Sequence, residues 1–430
     1  MISSIIGFAG LTHLGINSQV AAAAYGFVTI GYHAEKETVK SLRKGKLPIH
    51  EPGLQNLFEE QCHQLNFSSN PSDLDECDLV YISVDVPTND SGISDLTIID
   101  NTIDTISPCL REDALLVVLC QVPPGFTRKL KFPHKRLFYQ VETLIFGRAV
   151  ERAMHPERFI VGCADPNAPL PPALEVFLSA FDCPILPMGY ESAELTKISI
   201  NMYLVSSVSV SNTMAELCEQ VGAVWNEIIP ALKLDKRIGP HAYLKPGLGI
   251  AGGNLERDLT TVISLADTSG SNAEVVKSWI TDSTYRKNWV LRRLDEIVMV
   301  GTDIVDTIGI LGLAYKENTA SIKNSAAIVL LRKLMEQIKE YKITVYDPEV
   351  TPEAIPVSGF AVAKKSLDVC RNADVILFMT PWPEFKKLKP TVLADVMRGN
   401  LLIDPYSILD HKECVAAGLK HLTLGRPFDD

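Results

Sequence analysis

The sequence predicts an α/β protein in which two doubly wound domains are joined by a long central helix and a helical middle domain. Apolar runs of strand length alternate with helix-compatible segments at both ends of the chain, and an uninterrupted helical pattern lies between them. A chain of 430 residues with 46% hydrophobic content is also too long for one core. We therefore expect three domains, at residues 1–187, 188–295 and 296–430.

The first domain begins with a pattern typical of a βαβ unit. The short apolar run "SIIGFAG" is followed by the helix-like "INSQVAAAAYG" and by a second apolar run, "FVTIGY". Further along, "CDLVYISV" and "ALLVVLC" are apolar enough to be strands buried on both faces of a parallel sheet. These elements predict a doubly wound sheet over the first 180 or so residues.

The middle of the chain has a different pattern. From Glu191 to about Val224 it reads as one long helix, with no proline and no glycine before Gly222. A second α/β pattern then begins at "TIGILGLAY", continues through "ITVYDPEV" and "ADVILFMTPW", and ends with "NLLIDPYSILD". The long helix is predicted to connect the two α/β domains.

Composition excludes several classes of function. The formal net charge is −11 and the basic residues are dispersed, so no nucleic-acid partner is expected. No apolar run approaches the roughly 20 residues that span a bilayer, and no secretory signal pattern is present, so we expect a soluble, cytoplasmic protein without a membrane partner. The nine cysteines occur singly, which favours reduced thiols and predicts no metal site.

The turn after the first predicted strand resembles a dinucleotide-binding loop. Such loops place glycines where the chain turns, approaches the pyrophosphate and lets the helix pack on the strand. Gly10 and Gly15 occupy the first and third of these positions, but Thr12 occupies the second. The pattern predicts a Rossmann-like domain in which Gly10, Thr12 and Gly15 lie at the cofactor. The pyrophosphate site is altered, because Thr12 replaces a glycine.

The end of the second predicted strand departs from the dinucleotide pattern as well. An acidic residue that binds the adenosine ribose is expected there, and the chain instead has His33, with Glu35 two positions later. Three alternatives remain open: Glu35 takes over the role, NADP is accepted beside NAD, or adenosine binding is weakened. A domain that has lost its cofactor is a fourth.

Several motifs along nearly the whole chain indicate a specific family. In order they are "GKLPIHEPGL", "QVPPGFT", "AELTKISINMYL", "DKRIG", "PGLGIAGGNLERDL", "LGLAYKENTASIKNS" and "PWPEF". Together they resemble the UDP-glucose/GDP-mannose dehydrogenase family, the nucleotide-sugar 6-dehydrogenases. The resemblance implies an N-terminal NAD-binding domain, a central helix that carries a homodimer contact, and a C-terminal domain that binds the nucleotide sugar.

The family's catalytic cysteine is absent from the matching position. The family segment "GGSCFPKD" aligns with "AGGNLERD", so that Asn254 replaces the cysteine. In the family this thiol holds the intermediate aldehyde as a covalent adduct, which is oxidised to a thioester and hydrolysed. An amide nitrogen is not a nucleophile, although it can donate a hydrogen bond to a carbonyl or an alkoxide. The thioester route is therefore excluded at Asn254.

Other catalytic positions of the family are retained. Lys197 and Asn201 lie four residues apart, on one face of the predicted helix, and match the lysine and asparagine that bind a water and stabilise charge at the sugar C6. Asp258 matches the aspartate that works with this water, and Glu142 matches a catalytic glutamate. A purely structural homologue has no physical reason to keep these polar groups, so they favour chemistry.

The resemblance also implies residues that bind the two ligands. The remaining cofactor contacts are expected at Pro87, Thr88 and Lys323. Substrate contacts are expected at Arg237, Tyr243, Gly249 and Lys316.

Three of the partial matches suggest altered ligand handling. Lys323 replaces an arginine and supplies only a point charge where a bidentate pair is usual. Phe146 stands where a second glutamate is common, and residues 405–407, "PYS", replace "GRN".

The function predicted from these residues is an NAD(P)-dependent oxidoreductase that acts on a CH–OH group of a nucleotide sugar without the covalent thioester. Release of an aldehyde and epimerisation by hydride return both remain open. Two alternatives are a catalytically silent homologue that binds a nucleotide or a partner protein, and a four-electron dehydrogenase in which water adds directly to the aldehyde.

Overall fold

A computed structural model describes residues 4–87, 89, 94–300, 305–336 and 341–428. The chain divides into two compact units, residues 1–200 and residues 201–430.

The first unit is built on a parallel-dominated sheet. Its strands, among the described residues, are β1 (Ile5–Ala9), β2 (Val28–Tyr32), β3 (Leu65–Ser68), β4 (Leu79–Ile82), β5 (Leu115–Val118), β6 (Leu137–Gln140), β7 (Phe159–Cys163) and β8 (Ile185–Gly189). Their order is β3-β2-β1-β4-β5-β6-β7-β8, and β7 runs antiparallel to β6. The connecting helices are α1 (His13–Ala24), α2 (Lys36–Arg43), α3 (Leu54–Glu60), α4 (Thr97–Ile106), α5 (Phe126–Lys129), α6 (Ala149–Met154) and α7 (Pro172–Ser179).

The apolar strands of this sheet are buried on both faces. Every residue of β4 and β5 is withdrawn from solvent, and separate clusters of apolar side chains cover the two faces of the sheet. This confirms the doubly wound sheet expected from the continuous apolar runs.

The helix α8 (Tyr190–Val221) begins in the first unit and ends in the second. It ends before the predicted limit at Val224 because Gly222 adopts a left-handed conformation, with φ of +79°, and such a glycine closes a helix.

The second unit contains a helical segment followed by another parallel sheet. The helices are α9 (Trp225–Leu234), α10 (Asn254–Ser269), α11 (Glu274–Lys287), α12 (Trp289–Val300), α13 (Ala326–Glu336), α14 (Ser366–Cys370), α15 (Pro390–Val396) and α16 (His411–Ala416). The strands are β9 (Thr307–Leu311), β10 (Lys342–Tyr346), β11 (Ala361–Val362), β12 (Val375–Phe378), β13 (Leu401–Ile403) and β14 (Lys420–Leu422). Their order, β11-β10-β9-β12-β13-β14, repeats the order of the first six strands of the other sheet.

Both sheets therefore have the Rossmann-like strand order with its switch point beside the first strand, β1 in one unit and β9 in the other. Within the described part of the chain, none of the helices has the length and apolar character needed to cross a membrane.

Candidate active site

The turn between β1 and α1 requires its two glycines. Gly10 has φ of +111°, and a Cβ added there would overlap the side chain of Val84. A Cβ at Gly15 would overlap the carbonyl oxygen of Gly10. The two glycines thus allow α1 to pack closely on the ends of β1 and β4, as in a dinucleotide-binding turn.

Thr12 uses its hydroxyl to bind the segment after β4. The Thr12 Oγ1 donates to the Ser83 carbonyl oxygen at 3.2 Å and accepts from the Asp85 backbone N–H at 3.0 Å. The Asp85 carboxylate in turn accepts the backbone N–H of His13, in the first turn of α1, at 3.0 Å. The sequence analysis missed Asp85; the available signal was an acid directly after the apolar run "CDLVYISV", which contains a buried strand at the switch point.

The end of β2 carries no carboxylate. The His33 Nδ1 accepts the backbone N–H of Glu35 at 3.1 Å, and the Glu35 Oε2 accepts the hydroxyl of Thr38 at 2.6 Å. Glu35 therefore lies beyond the strand end and is engaged with its own helix, α2. Of the two remaining cofactor candidates in this unit, Pro87 accepts the backbone N–H of Asp95 through its carbonyl oxygen, and Thr88 lies outside the described residues.

Glu51, from the motif "PIHEPGL", is a buried carboxylate beside α1 that the sequence analysis did not single out. It contacts the His13 Nε2 at 2.7 Å and accepts the backbone N–H groups of Gly147 and Ala149. The His13 ring also packs against Phe146, with 4.1 Å between ring centroids. Glu51 therefore ties the start of α1 to the segment after Glu142.

Two of the predicted catalytic residues meet within the first unit. The Lys197 Nζ donates to the Glu142 backbone carbonyl at 2.9 Å and to its Oε2 at 3.3 Å. The side chains are 15% and 17% exposed, so the pair is sheltered but reachable from solvent. A second Glu142 oxygen accepts the backbone N–H of Leu144.

The loop "PPGFT" is anchored to α8 by Glu194, another residue that the sequence analysis missed. Its buried carboxylate accepts the backbone N–H groups of Gly125 and Thr127, and burial raises its pKa. Glu194 lies one turn before Lys197, so this contact helps to set the position of the lysine.

The other two predicted catalytic residues meet within the second unit. The Asn201 side-chain N–H donates to the Asp258 Oδ2, and Arg257 lies 3.5 Å from the other carboxylate oxygen. Asn201 is 8% exposed and Asp258 only 1%. A buried carboxylate needs such partners, because an uncompensated charge is costly to remove from water.

Asn254 is the first residue of α10 and is exposed to solvent. It lies four residues before Asp258, on the same face of the helix. A Cβ at the preceding Gly253 would lie 3.6 Å from the Lys323 Nζ, so this ammonium stands beside the helix start. The arrangement places a side-chain amide, not a thiol, at the start of α10.

The start of α10 is held by its neighbours. Asn324 donates to the Gly252 carbonyl oxygen at 3.0 Å and to the Glu256 carboxylate, and the Lys287 Nζ reaches the same carboxylate at 3.2 Å. These contacts fix the first turn of α10, in which Asn254 lies.

The candidate substrate residues have different environments. Gly249 has φ of +80°, and a Cβ there would lie 2.5 Å from the Ser283 carbonyl oxygen, so this glycine is needed for packing against α11. Arg237 pairs with Asp235 and is 88% exposed, Tyr243 is about half exposed, and the Lys316 Nζ lies 5.7 Å from the Tyr315 ring centroid.

The cysteines of the second unit are poor substitutes for the missing thiol. Burial raises the pKa of Cys218, and it raises the pKa values of Cys370 and Cys414 to about 12. Because the thiolate is the nucleophile, a raised pKa leaves little of the reactive form near neutral pH.

The two sheets, the glycine turn and the paired polar side chains define an NAD-dependent dehydrogenase with two Rossmann-like domains. Three models of one family match consecutive parts of the chain: the NAD binding domain at residues 4–176, the central domain at 191–282 and the UDP binding domain at 309–411. The chain belongs to the UDP-glucose/GDP-mannose dehydrogenase family, whose members oxidise nucleotide sugars.

Individual relatives agree along the full length. The chain is 28% identical to the UDP-glucose 6-dehydrogenase TuaD of Bacillus subtilis, over 98% of this chain and 93% of the relative. It is 26% identical to the UDP-glucose 6-dehydrogenase of Rickettsia typhi, over 98% and 99%. A UDP-glucose dehydrogenase structure from Pyrobaculum islandicum superposes with a TM-score of 0.82 at 25% identity, over 95% and 96% of the two chains.

A more distant structure shares the fold. The UDP-D-ManNAc dehydrogenase of Pyrococcus horikoshii has a TM-score of 0.84 at 22% identity, over 99% of this chain and 100% of the other.

Proposed function

We propose that this protein oxidises the C6 alcohol of a UDP-sugar with NAD and releases the aldehyde without forming a covalent thioester. Family membership supports the cofactor and the substrate class. UDP-glucose is the first sugar nucleotide to test, because the named relatives are UDP-glucose dehydrogenases. The absence of a thiol at Asn254 supports a two-electron outcome.

The observation that carries this proposal is the buried hydrogen bond between Asn201 and Asp258, one helical turn from Asn254. Oxidation of an alcohol removes a hydride from carbon and a proton from oxygen. When bound, NAD supplies the hydride acceptor. We assign receipt of the hydroxyl proton, through water, to Asp258, and stabilisation of the developing negative oxygen to Lys197.

The turn after β1 only partly fits the cofactor. Gly10 and Gly15 leave the space that a dinucleotide-binding turn needs. Thr12 and His33 replace the groups that usually close on pyrophosphate and ribose, so we propose weak NAD binding. Thr12→Gly combined with His33→Asp should lower the dissociation constant for NAD, and NADP binding should be measured beside it.

The remaining ligand contacts are proposals on the same basis. We assign cofactor contacts to Glu35, Pro87, Thr88 and Lys323. We assign substrate contacts to Arg237, Tyr243, Gly249 and Lys316.

The decisive experiment counts the NADH formed per sugar consumed and identifies the product. With UDP-glucose we expect one NADH per sugar and an aldehyde that hydrazine traps, with Asp258→Asn as the inactive control. Two NADH and a uronate would contradict the two-electron proposal and establish direct hydration. An epimerised sugar without net NADH would establish hydride return. Failure to turn over UDP-glucose, GDP-mannose or an N-acetylated UDP-sugar would favour a silent homologue.

We also propose a homodimer that forms through α8. The exposed apolar side chains of this helix recur with helical spacing, at Tyr203, Val210, Met214, Leu217 and Val221. Such a stripe on a surface helix is typical of a face that another subunit covers. Sedimentation should show a dimer at micromolar concentration. Val210→Lys should weaken it more than Val275→Lys, which changes an exposed valine of α11.

We also propose that the chain forms three domains, at residues 1–187, 188–295 and 296–430. The proposed location is the cytoplasm. All nine cysteines lie within the described residues and outside any disulfide, as is usual in a reducing compartment. Limited proteolysis would test the boundaries, and cell fractionation would test the location.

A further inference from the structure

The first turn of α1 has a carboxylate as its neighbour. The Asp85 side chain accepts a hydrogen bond from the His13 backbone N–H at 3.0 Å. The Thr12 hydroxyl oxygen accepts one from the Asp85 backbone N–H, also at 3.0 Å. Thr12 also donates to the Ser83 carbonyl oxygen. We refer to Thr12 and Asp85, joined in this way, as the Thr12–Asp85 latch.

The latch occupies a place suited to a phosphate. Backbone N–H groups at a helix N-terminus, together with the helix dipole, attract anions, and in a Rossmann-like domain the N-terminus of the first helix binds the pyrophosphate. In this chain a carboxylate already uses the His13 N–H of that turn. A dinucleotide that approaches α1 meets both an occupied donor and a negative charge.

A buried carboxylate in the second unit offers a comparison, although it accepts N–H groups from the loop after β9 and not from the start of a helix. Asp347, at the end of β10, accepts the backbone N–H groups of Leu313 and Ala314 at 2.7 and 2.9 Å and the indole N–H of Trp382. Asp347 is 9% exposed, whereas Asp85 is exposed and binds α1 through one N–H group. Asp347 is thus held by several buried hydrogen bonds. Asp85, with its single hydrogen bond to α1, can leave the His13 N–H.

We propose that the Thr12–Asp85 latch sets the affinity of this protein for NAD by competing with the cofactor pyrophosphate for the start of α1. This inference rests on the proposed NAD-dependent function. Cofactor binding then requires Asp85 to leave the His13 N–H, and the charge of Asp85 opposes the pyrophosphate even after it has moved. Asp85 is therefore a residue that determines cofactor affinity, and Thr12 is a residue that positions it.

Calorimetric titration of NAD into four forms of the full chain tests the latch. Asp85→Ala removes both the contact and the charge, and Asp85→Asn removes the charge but keeps an oxygen that can accept the His13 N–H. Asp104→Ala removes an exposed carboxylate of α4 in the same unit and is the matched control. Circular dichroism and thermal melts establish that each variant is folded.

We expect Asp85→Ala to lower the dissociation constant for NAD about threefold to fivefold, an effect of the size that one exposed charge at a helix N-terminus exerts. Asp85→Asn should give a smaller gain, and Asp104→Ala should leave the constant unchanged. The difference between wild type and Asp85→Asn should shrink as salt is added, because ionic screening weakens repulsion between exposed charges.

The contrary outcomes separate the latch from the function. Equal NAD affinity in wild type and Asp85→Ala would overturn the latch and leave the NAD-dependent function intact. An equal gain in Asp104→Ala would show a general charge effect and would also overturn it. If neither wild type nor Asp85→Ala bound NAD at millimolar concentration, both the latch and the NAD-dependent function would be wrong.

Discussion

The carboxamide of Asn201 in α8 donates a hydrogen bond to the carboxylate of Asp258 in α10, and both side chains are almost completely withdrawn from solvent. The two residues are 57 positions apart in the chain. The contact therefore joins two helices of the second unit and gives a charged group a buried partner. Its removal should affect both stability and catalysis.

Asp258→Ala should lower the free energy of unfolding by about 3 kcal/mol, because the variant removes the carboxylate beside the buried Arg257. Asn201→Ala should lower it by about 2 kcal/mol, because a hydrogen bond to a charged group is worth more than one between neutral groups, while Arg257 still accompanies the carboxylate. All four tryptophans lie in the second unit, so their fluorescence during urea unfolding reports on this unit. Equal effects of the two variants would contradict the assignment of the larger part to the charge.

Asn254→Cys should create an unusually reactive thiol. The position is exposed and is the first of a 16-residue helix, where the helix dipole lowers a thiol pKa. Alkylation at pH 7, mapped by mass spectrometry, should be about tenfold faster than in Thr268→Cys, which places an exposed thiol near the other end of α10. Equal rates would show that the helix start does not activate the group.

The same Asn254→Cys variant should form some uronate from UDP-glucose, with a second NADH per sugar, once NAD is bound. A reactive thiol supplies the nucleophile that the thioester route needs. Product analysis by mass spectrometry checks this, with Thr268→Cys again as the control. If the introduced thiol can be alkylated but the variant yields only aldehyde, other departures from the family pattern, such as Phe146, also block the second oxidation.

Gly15→Ala should disrupt the turn at the start of α1. The added methyl group would overlap the carbonyl oxygen of Gly10, and a backbone atom in this close packing has little freedom to yield. We expect a loss of about 3 kcal/mol or more of stability, measured by circular dichroism during denaturant unfolding. Gly189→Ala, where the methyl group meets no atom within 4 Å, should be nearly neutral; a comparable loss there would contradict the packing explanation.

The free energy of unfolding of the second unit should depend on pH through the Asp374 carboxyl group. Burial acts to raise the pKa of Asp374, but the Arg398 guanidinium and the backbone N–H groups of Asp306 and Thr307 outweigh it and lower the pKa to about 2. A carboxyl whose pKa is lower in the folded than in the unfolded state stabilises the fold above its unfolded pKa. This contribution is lost as the pH falls from about 4 through about 2.

Arg398→Ala should therefore reduce stability at pH 7, although only modestly, since the arginine itself is half exposed and solvent screens its charge. The same change should flatten the stability profile between about pH 4 and 2. Tryptophan fluorescence across a pH series of urea titrations measures both effects. Arg371→Ala, which breaks an exposed pair with Asp368, should leave both the stability and its pH profile close to those of wild type; a similar loss in that variant would contradict the role of Asp374.

Local patterns are enough to predict much of the architecture. The apolar runs predict the strands because a parallel sheet covered on both faces buries every residue of a strand, and β4 and β5 are buried in this way. The spacing of Gly10 and Gly15 predicts a close turn, because a side chain at either position would overlap neighbouring atoms near the start of α1. The helical pattern predicts that α8 ends at about Val224, but the helix ends at Val221, directly before the left-handed Gly222.

By itself the sequence determined the two α/β halves, the long helix, the family and the absence of a thiol at Asn254, because these depend on residue type and on local periodicity. Only the tertiary structure decided that Asp85 lies against the His13 N–H, 72 positions away, and that Glu194 holds Gly125, 69 positions away. It also decided which acids pair with Lys197 and Asn201. Such contacts depend on which strand ends and helices are brought together by the packed core, and this is not encoded within any one segment.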